Sequence, residues 1–120
     1  MPRSPLPRLR NICLALPDAY EKVSHGEPTF WAGKRMFASF ADAKTHHGNG
    51  QYAVWIKSTH VTQDMLIARA PAVYFSPPYV GASGWVGMYL DDKTDWDAVA
   101  ERLRDGYRLV APKKSLAALD

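Results

Sequence analysis

Two amphipathic stretches bracket the chain, and most of what lies between them is short, aromatic and β-branched. Near the N-terminus Leu6, Leu9, Ile12, Cys13 and Leu16 recur at spacings of three and four, one face of a helix that Pro17 ends. Near the C-terminus Trp96, Val99, Ala100, Leu103, Tyr107 and Val110 form a second stripe. Thr94 opens that helix, with Asp97 three residues on as a weak capping box, and Pro112 closes it. A helix at each end with strands between predicts an α+β domain, its antiparallel sheet covered on one face by these two helices. The other face is left open by this arrangement.

The strands are punctuated by turn residues. Pro28–Trp31 and Arg35–Phe40 flank Ala32-Gly33-Lys34 and read as a β-hairpin. The segment 41–50 holds His46, His47, Gly48, Asn49 and Gly50 and reads as a loop, and Gln51–Lys57 reads as a third strand. A short helix follows, capped by Thr59 or Thr62 and stopped near Ala70 by Pro71. Val73–Phe75 is a brief extended piece, and Trp85–Leu90 is the last strand. With 120 residues and 47% hydrophobic side chains, the chain reads as one domain over 1–120, residues 1–5 and 115–120 being loosely ordered.

Charge argues less for a nucleic-acid partner than its total suggests. The net charge of +3 comes from 15 basic against 12 acidic residues, but Arg3, Arg8 and Arg10 lie in the first ten residues, where there is no acid. The rest of the chain is neutral. Within the last helix region Arg102, Arg104, Arg108, Lys113 and Lys114 oppose only Asp105, while Asp91, Asp92, Asp95, Asp97 and Glu101 oppose Lys93. That could be a phosphate-binding stripe, but acid at the N-terminal end and base at the C-terminal end is also the polarity a helix dipole favours. Arg8 and Arg10 invite the same two readings.

Alternation splits each strand into two faces. Met36, Ala38, Phe40, Tyr52, Val54, Ile56, Val86, Met88 and Leu90 make a mainly aliphatic set suited to packing under helices. The complementary set, Arg35, Phe37, Ser39, Ala53, Trp55, Lys57, Trp85, Gly87 and Tyr89, combines four aromatics with two cations. An aromatic platform flanked by positive charge is what base stacking and phosphate contact require. Alternatively, the Tyr- and Pro-rich segment 71–84 folds over that face and makes Trp55 and Trp85 core residues.

No constellation proposes catalysis. The chain has no G-x-S-x-G, no Walker loop and no G-x-G-x-x-G. Of the histidines, only His46 and His47 are adjacent, and neighbours seldom present both rings to one ion, so neither a metal nor a cofactor is expected. Cys13 falls on the buried stripe and reads as a small core residue. A single cysteine excludes an intramolecular disulfide and fits a reducing cytoplasm. No run approaches the ~20 apolar residues needed to span a bilayer, so no membrane partner is expected.

The segments His25-Gly26-Glu27-Pro28-Thr29-Phe30, Gly33-Lys34-Arg35-Met36-Phe37-Ala38, Pro77-Pro78-Tyr79-Val80-Gly81, Gly84-Trp85-Val86-Gly87, Asp95-Trp96 and Tyr107–Lys113 together resemble the MmcQ/YjbR-like family. The resemblance runs from about Leu6 to Leu119. It implies a CyaY-like α+β fold and a DNA-binding protein with a double-wing arrangement, and it carries Lys34 and Trp85, with Lys57, onto the family's motif positions. Combined with the reading of the residues, the expectation is a non-enzymatic cytoplasmic protein that binds DNA through Lys34, Arg35, Lys57, Trp55 and Trp85, the hairpin near Gly33 acting as a wing. The alternative is a small-ligand or protein-interaction module on the same aromatic face, with Tyr79 and the turn from Gly81 to Gly84 as its rim.

Overall fold

A computed structural model describes residues 3–119. In chain order the elements are α1 (Leu6–Leu14), β1 (Ala19–Ser24), β2 (Glu27–Ala32), β3 (Arg35–Ala41), β4 (Ala53–Ile56), α2 (His60–Arg69), β5 (Tyr74–Phe75), β6 (Val86–Tyr89), α3 (Trp96–Val110) and α4 (Lys113–Ala117). The strands form one antiparallel sheet in the order β1-β2-β3-β4-β6-β5. This is the expected α+β architecture, with α1 and α3 on one face.

Local chemistry sets most element ends. Thr59 is the N-cap of α2, its Oγ1 accepting from the Thr62 amide at 3.2 Å. Asp95, rather than Thr94, caps α3: its Oδ1 accepts from the amides of Asp97 and Ala98. Thr94 closes the preceding turn instead, its Oγ1 accepting from the Asp91 amide at 2.7 Å. A carboxylate facing the positive end of the helix explains why Asp95 takes the cap.

The main core lies between the sheet and these helices. Leu9 and Cys13 of α1 and Val99, Leu103 and Tyr107 of α3 have no exposed surface, and they pack on Phe30, Phe37, Val54, Ile56, Val86 and Met88. The Tyr107 ring meets Phe37 edge-on at 5.7 Å, and its hydroxyl donates to the Pro17 carbonyl at 2.7 Å. Burial pushes the Tyr107 phenol above its ordinary pKa. Two of the N-terminal arginines act within the fold. Arg10 pairs with Glu21 of β1 through two bonds of 2.6 and 2.9 Å, and Arg8 lies 4.9 Å from the Trp96 ring centre.

Three features depart from the sequence expectation. β1 is an added edge strand in a stretch without regular alternation. Residues 113–117 form α4 rather than a loose tail: Ser115 is fully buried and its Oγ donates to Asp18 at 2.8 Å. Met1, Pro2 and Asp120, which belong to the termini expected to be loose, lie outside the described residues.

The third is a bulge in β3. Phe30 pairs with Ala38, but the next pair is Trp31 with Met36, so Phe37 is an extra residue. Phe37 and Ala38 consequently both join the main core, and the alternation N-terminal to them is inverted. Met36, expected under the helices, packs on the opposite face with Trp55 and Trp85. Arg35 and Phe37, expected on the aromatic face, lie on the helix side, Arg35 reaching the Leu109 carbonyl of α3 at 3.4 Å.

Candidate functional site

The sheet face away from α1 and α3 carries a second, smaller apolar cluster of Ala41, Ala53, Trp55 and Trp85, flanked by Met36, Phe75 and Val80. Over it lies a cleft of about 800 Å³. Its floor is built by strands: Glu27, Thr29 and Trp31 of β2, Met36 and Ser39 of β3, Trp55 of β4, and Trp85 just before β6. Three connections raise its walls: the β1–β2 turn with Ser24 and His25, the β3–β4 loop with His46 and His47, and the β5–β6 loop with Tyr79 and Val80.

Two of these walls are tied down by buried polar groups. Glu27 is 3% exposed, and its Oε2 accepts from the Asp42 amide at 3.0 Å and from the Thr45 hydroxyl at 2.7 Å, folding the β3–β4 loop back over the sheet. The same oxygen lies 3.6 Å from His47 Nδ1. On the far side Gln63 of α2 donates through Nε2 to the carbonyls of Gly81 and Trp85, at 2.9 and 2.6 Å, and fixes the β5–β6 loop. On the floor, Thr29 Oγ1 donates to the Lys22 carbonyl at 2.6 Å and accepts from Trp31 Nε1 at 2.8 Å, which sets the orientation of that indole.

The aromatic groups converge. The His47 ring lies 4.2 Å from His46, 5.5 Å from Trp55 and 6.4 Å from Tyr79. Tyr79 is 77% exposed and sits at the mouth in the left-handed region, with φ of +66°. Trp55 Nε1 and His47 Nδ1 are buried without a hydrogen-bond partner. Glu27 Oε2 is already occupied by two donors, and its gap to His47 is longer than a hydrogen bond. The arrangement offers aromatic walls against which a flat group can be held.

The structure divides the sequence-predicted site residues. Trp55 and Trp85 face the cleft and are each 6% exposed, so the face is covered and no open stacking platform exists. Tyr79 and Val80 of the 71–84 segment do part of the covering, as the alternative reading of that face expects, and the loop carrying His46 and His47, which that reading does not include, does the rest. Tyr79 takes the expected place on the rim. Lys34, Arg35 and Lys57 are absent from the lining. Lys57 is half-buried just beyond β4, its amide bonded to the Phe37 carbonyl at 2.9 Å. Glu27, Thr29 and Trp31, which the sequence reading does not include in the site, share one face of β2 by simple alternation, whereas Met36 reaches the cleft only through the bulge.

Lys34 and Arg35 belong to a different surface. Gly33, in the left-handed conformation at φ of +65°, lies so close to the chain beyond α3 that a Cβ there would stand 2.8 Å from Pro112 Cγ. The Tyr20 hydroxyl donates to the Gly33 carbonyl at 2.6 Å and braces the turn from the other side. Exposed Lys34 and Arg35 follow Gly33 at this contact, exposed Lys113 and Lys114 follow Pro112, and the Arg35 guanidinium reaches the Leu109 carbonyl next to exposed Arg108. Among the described residues Lys34, Arg35, Lys113 and Lys114 have no carboxylate within ion-pairing distance, while Arg108 is 3.8 Å from Asp105.

Among the described residues no group of three or more His, Cys, Asp and Glu is placed to hold a metal ion, and no helix is long and apolar enough to cross a membrane. The molecule is thus an α+β domain with helices on one sheet face and a loop-walled aromatic cleft on the other. The YjbR family model matches residues 14–109, and the chain belongs to the YjbR family. The crystal structure of Deinococcus radiodurans protein DR2400, a DUF419 domain, has a similar fold with a TM-score of 0.75 at 20% identity, covering 95% of this chain and 86% of that one. No curated protein matches the chain.

Proposed function

We propose that the protein is a non-enzymatic nucleic-acid-binding protein that contacts phosphates through the basic surface at the β2–β3 turn. The observation that supports this reading is the seating of Gly33 on Pro112. It joins Lys34 and Arg35 to Arg108, Lys113 and Lys114 across more than 70 residues of sequence. Five cations gathered on one exposed edge, in a chain whose body is neutral overall, form a local positive field of the kind that attracts a polyanion. The hairpin carrying Lys34 is the wing of this reading. Lys57 is replaced in it by Lys113 and Lys114 of α4.

Fluorescence anisotropy with a labelled 20-nucleotide strand and its duplex, titrated between low and moderate salt, tests the reading. Engagement of about four phosphates gives a log–log salt slope of roughly −3. The triple variant Lys34→Gln/Lys113→Gln/Lys114→Gln is expected to flatten that slope by about one for each phosphate no longer engaged. Binding that ignores salt, or an unchanged slope in the triple variant, overturns it.

A further inference from the structure

We infer that the cleft between the β3–β4 and β5–β6 loops is a binding site for one neutral, planar heteroaromatic group that carries a hydrogen-bond acceptor. The inference is independent of the basic surface, which lies outside the cleft.

Four observations converge on that chemistry. The cleft volume of about 800 Å³ lies within the usual range for small-molecule sites. Its apolar surface is largely aromatic, with Trp31, Trp55 and Trp85 on the floor and His47 and Tyr79 on the walls, so flat π-faces are offered to an occupant. No lysine or arginine lines it, the Lys22 ammonium standing over the Trp31 ring at 3.8 Å from its centre, and Oε2 of Glu27 is already engaged by Asp42 and Thr45. An anion would meet the Glu27 carboxylate with no lysine or arginine in the lining to pair with, whereas a neutral group needs no such partner.

The fourth observation supplies the acceptor. An indole N–H can only donate, and a buried donor left unpaired is costly. Trp55 Nε1 is such a donor, and His47 Nδ1, on the ring that stands edge-on to Trp55 at 5.5 Å, is a second buried nitrogen without a partner. Entry of a ring between His47 and Tyr79 displaces the imidazole from the indole edge and lets a ring nitrogen or carbonyl oxygen accept from Trp55. Tyr79, held at positive φ with its ring at the mouth, closes over the other face of the occupant. The same chemistry is presented by a free nucleoside and by an unstacked base of a single strand.

The four indole N–H signals of the ¹⁵N-labelled protein provide the readout, with Trp96 as the reference outside the cleft. Titration with adenosine to a few millimolar is expected to move the Trp55 signal saturably and leave Trp96 in place. Trp55→Phe, which keeps a ring but removes the donor, is expected to weaken adenosine binding about fivefold, the effect of one hydrogen bond, followed through the Trp31 and Trp85 signals. Tyr79→Ser alters an exposed residue, preserves the fold and also weakens binding. A single-stranded oligo(dA) is the second arm: the same Trp55 shift identifies a strand's base as an occupant, and a shift with adenosine alone identifies a free small molecule. Silence of the cleft indoles toward both probes, or affinity unchanged in both Trp55→Phe and Tyr79→Ser, overturns the inference. The triple lysine variant is expected to retain its adenosine affinity, so failure of the phosphate reading and failure of this one are distinguishable.

Discussion

Phe75 of β5 lies across Gly87 of β6, its register partner, so closely that a Cβ on the glycine would stand 2.3 Å from the ring Cζ. The ring also stacks on Tyr89 at 4.4 Å. The missing side chain in the middle of β6 thus makes room for an aromatic lid over the edge of the smaller apolar cluster. Gly87→Ala is expected to lower stability by about 1–3 kcal/mol through overpacking, read as a reduced urea midpoint. In a Phe75→Leu background the same alanine should cost much less. Equal costs in the two backgrounds would show that the ring does not determine the effect.

Gln63 holds the β5–β6 loop by donating to two carbonyls, which a carboxylate cannot do. Gln63→Glu places a carboxylate against the oxygens of Gly81 and Trp85 and is expected to destabilise by about 2–4 kcal/mol. Gln63→Ala, which removes the donor without adding a charge, should cost about half as much. Thermal unfolding ranks the two variants, and an order reversed from this one would contradict the assigned bonds.

Glu27 is the corresponding anchor for the β3–β4 loop. Glu27→Ala strands the Asp42 amide and the Thr45 hydroxyl, and a loss of about 2–3 kcal/mol is expected, with faster proteolysis within residues 42–50. Glu27→Gln keeps an acceptor oxygen for both donors and should remain within about 1 kcal/mol of the parent. Limited proteolysis that leaves this loop equally protected in Glu27→Ala would place its anchor elsewhere.

Stability is expected to fall in alkali. Cys13 has no exposed surface, and burial pushes its thiol well above the ordinary value. A raised acid stabilises the fold fully below its unfolded pKa, about 8.5 for a thiol, because only the unfolded state ionises above that point. Each pH unit beyond about 8.5 should therefore remove about 1.4 kcal/mol until the folded thiol itself ionises. Tyr107, also raised by burial, adds a loss that begins above about pH 10. Urea midpoints measured from pH 7 to 11 should show both phases, and Cys13→Ala should abolish the first alone. A first phase that survives in Cys13→Ala would assign it to another group.

Local chemistry made much of the fold legible. The two helical stripes, the Thr59 cap, the Gly33 turn and the opposite faces of Val54 and Trp55 depend on residues within a few positions of one another, and all were readable in order along the chain. The separation of cations from acids along α3 was readable for the same reason. Even the aromatic face was half visible, since Trp55 and Trp85 were placed on it correctly.

What tertiary structure alone decided lies in contacts between distant segments. The extra residue at Phe37 exchanged the faces of Met36 and Arg35, because both Phe37 and Ala38 are accommodated in the core beneath α3. β1, with Tyr20, Lys22 and Val23 incompletely covered, is a strand because β2 supplies its hydrogen-bond partners rather than because its own sequence alternates. The covering of Trp55 and Trp85 depends on Glu27 and Gln63 reaching loops 15 or more residues away. The basic surface depends on Gly33 meeting Pro112. Periodicity and capping are properties of neighbouring residues, whereas a cleft and a charged edge are properties of packing, and in this protein both candidate binding surfaces are of the second kind.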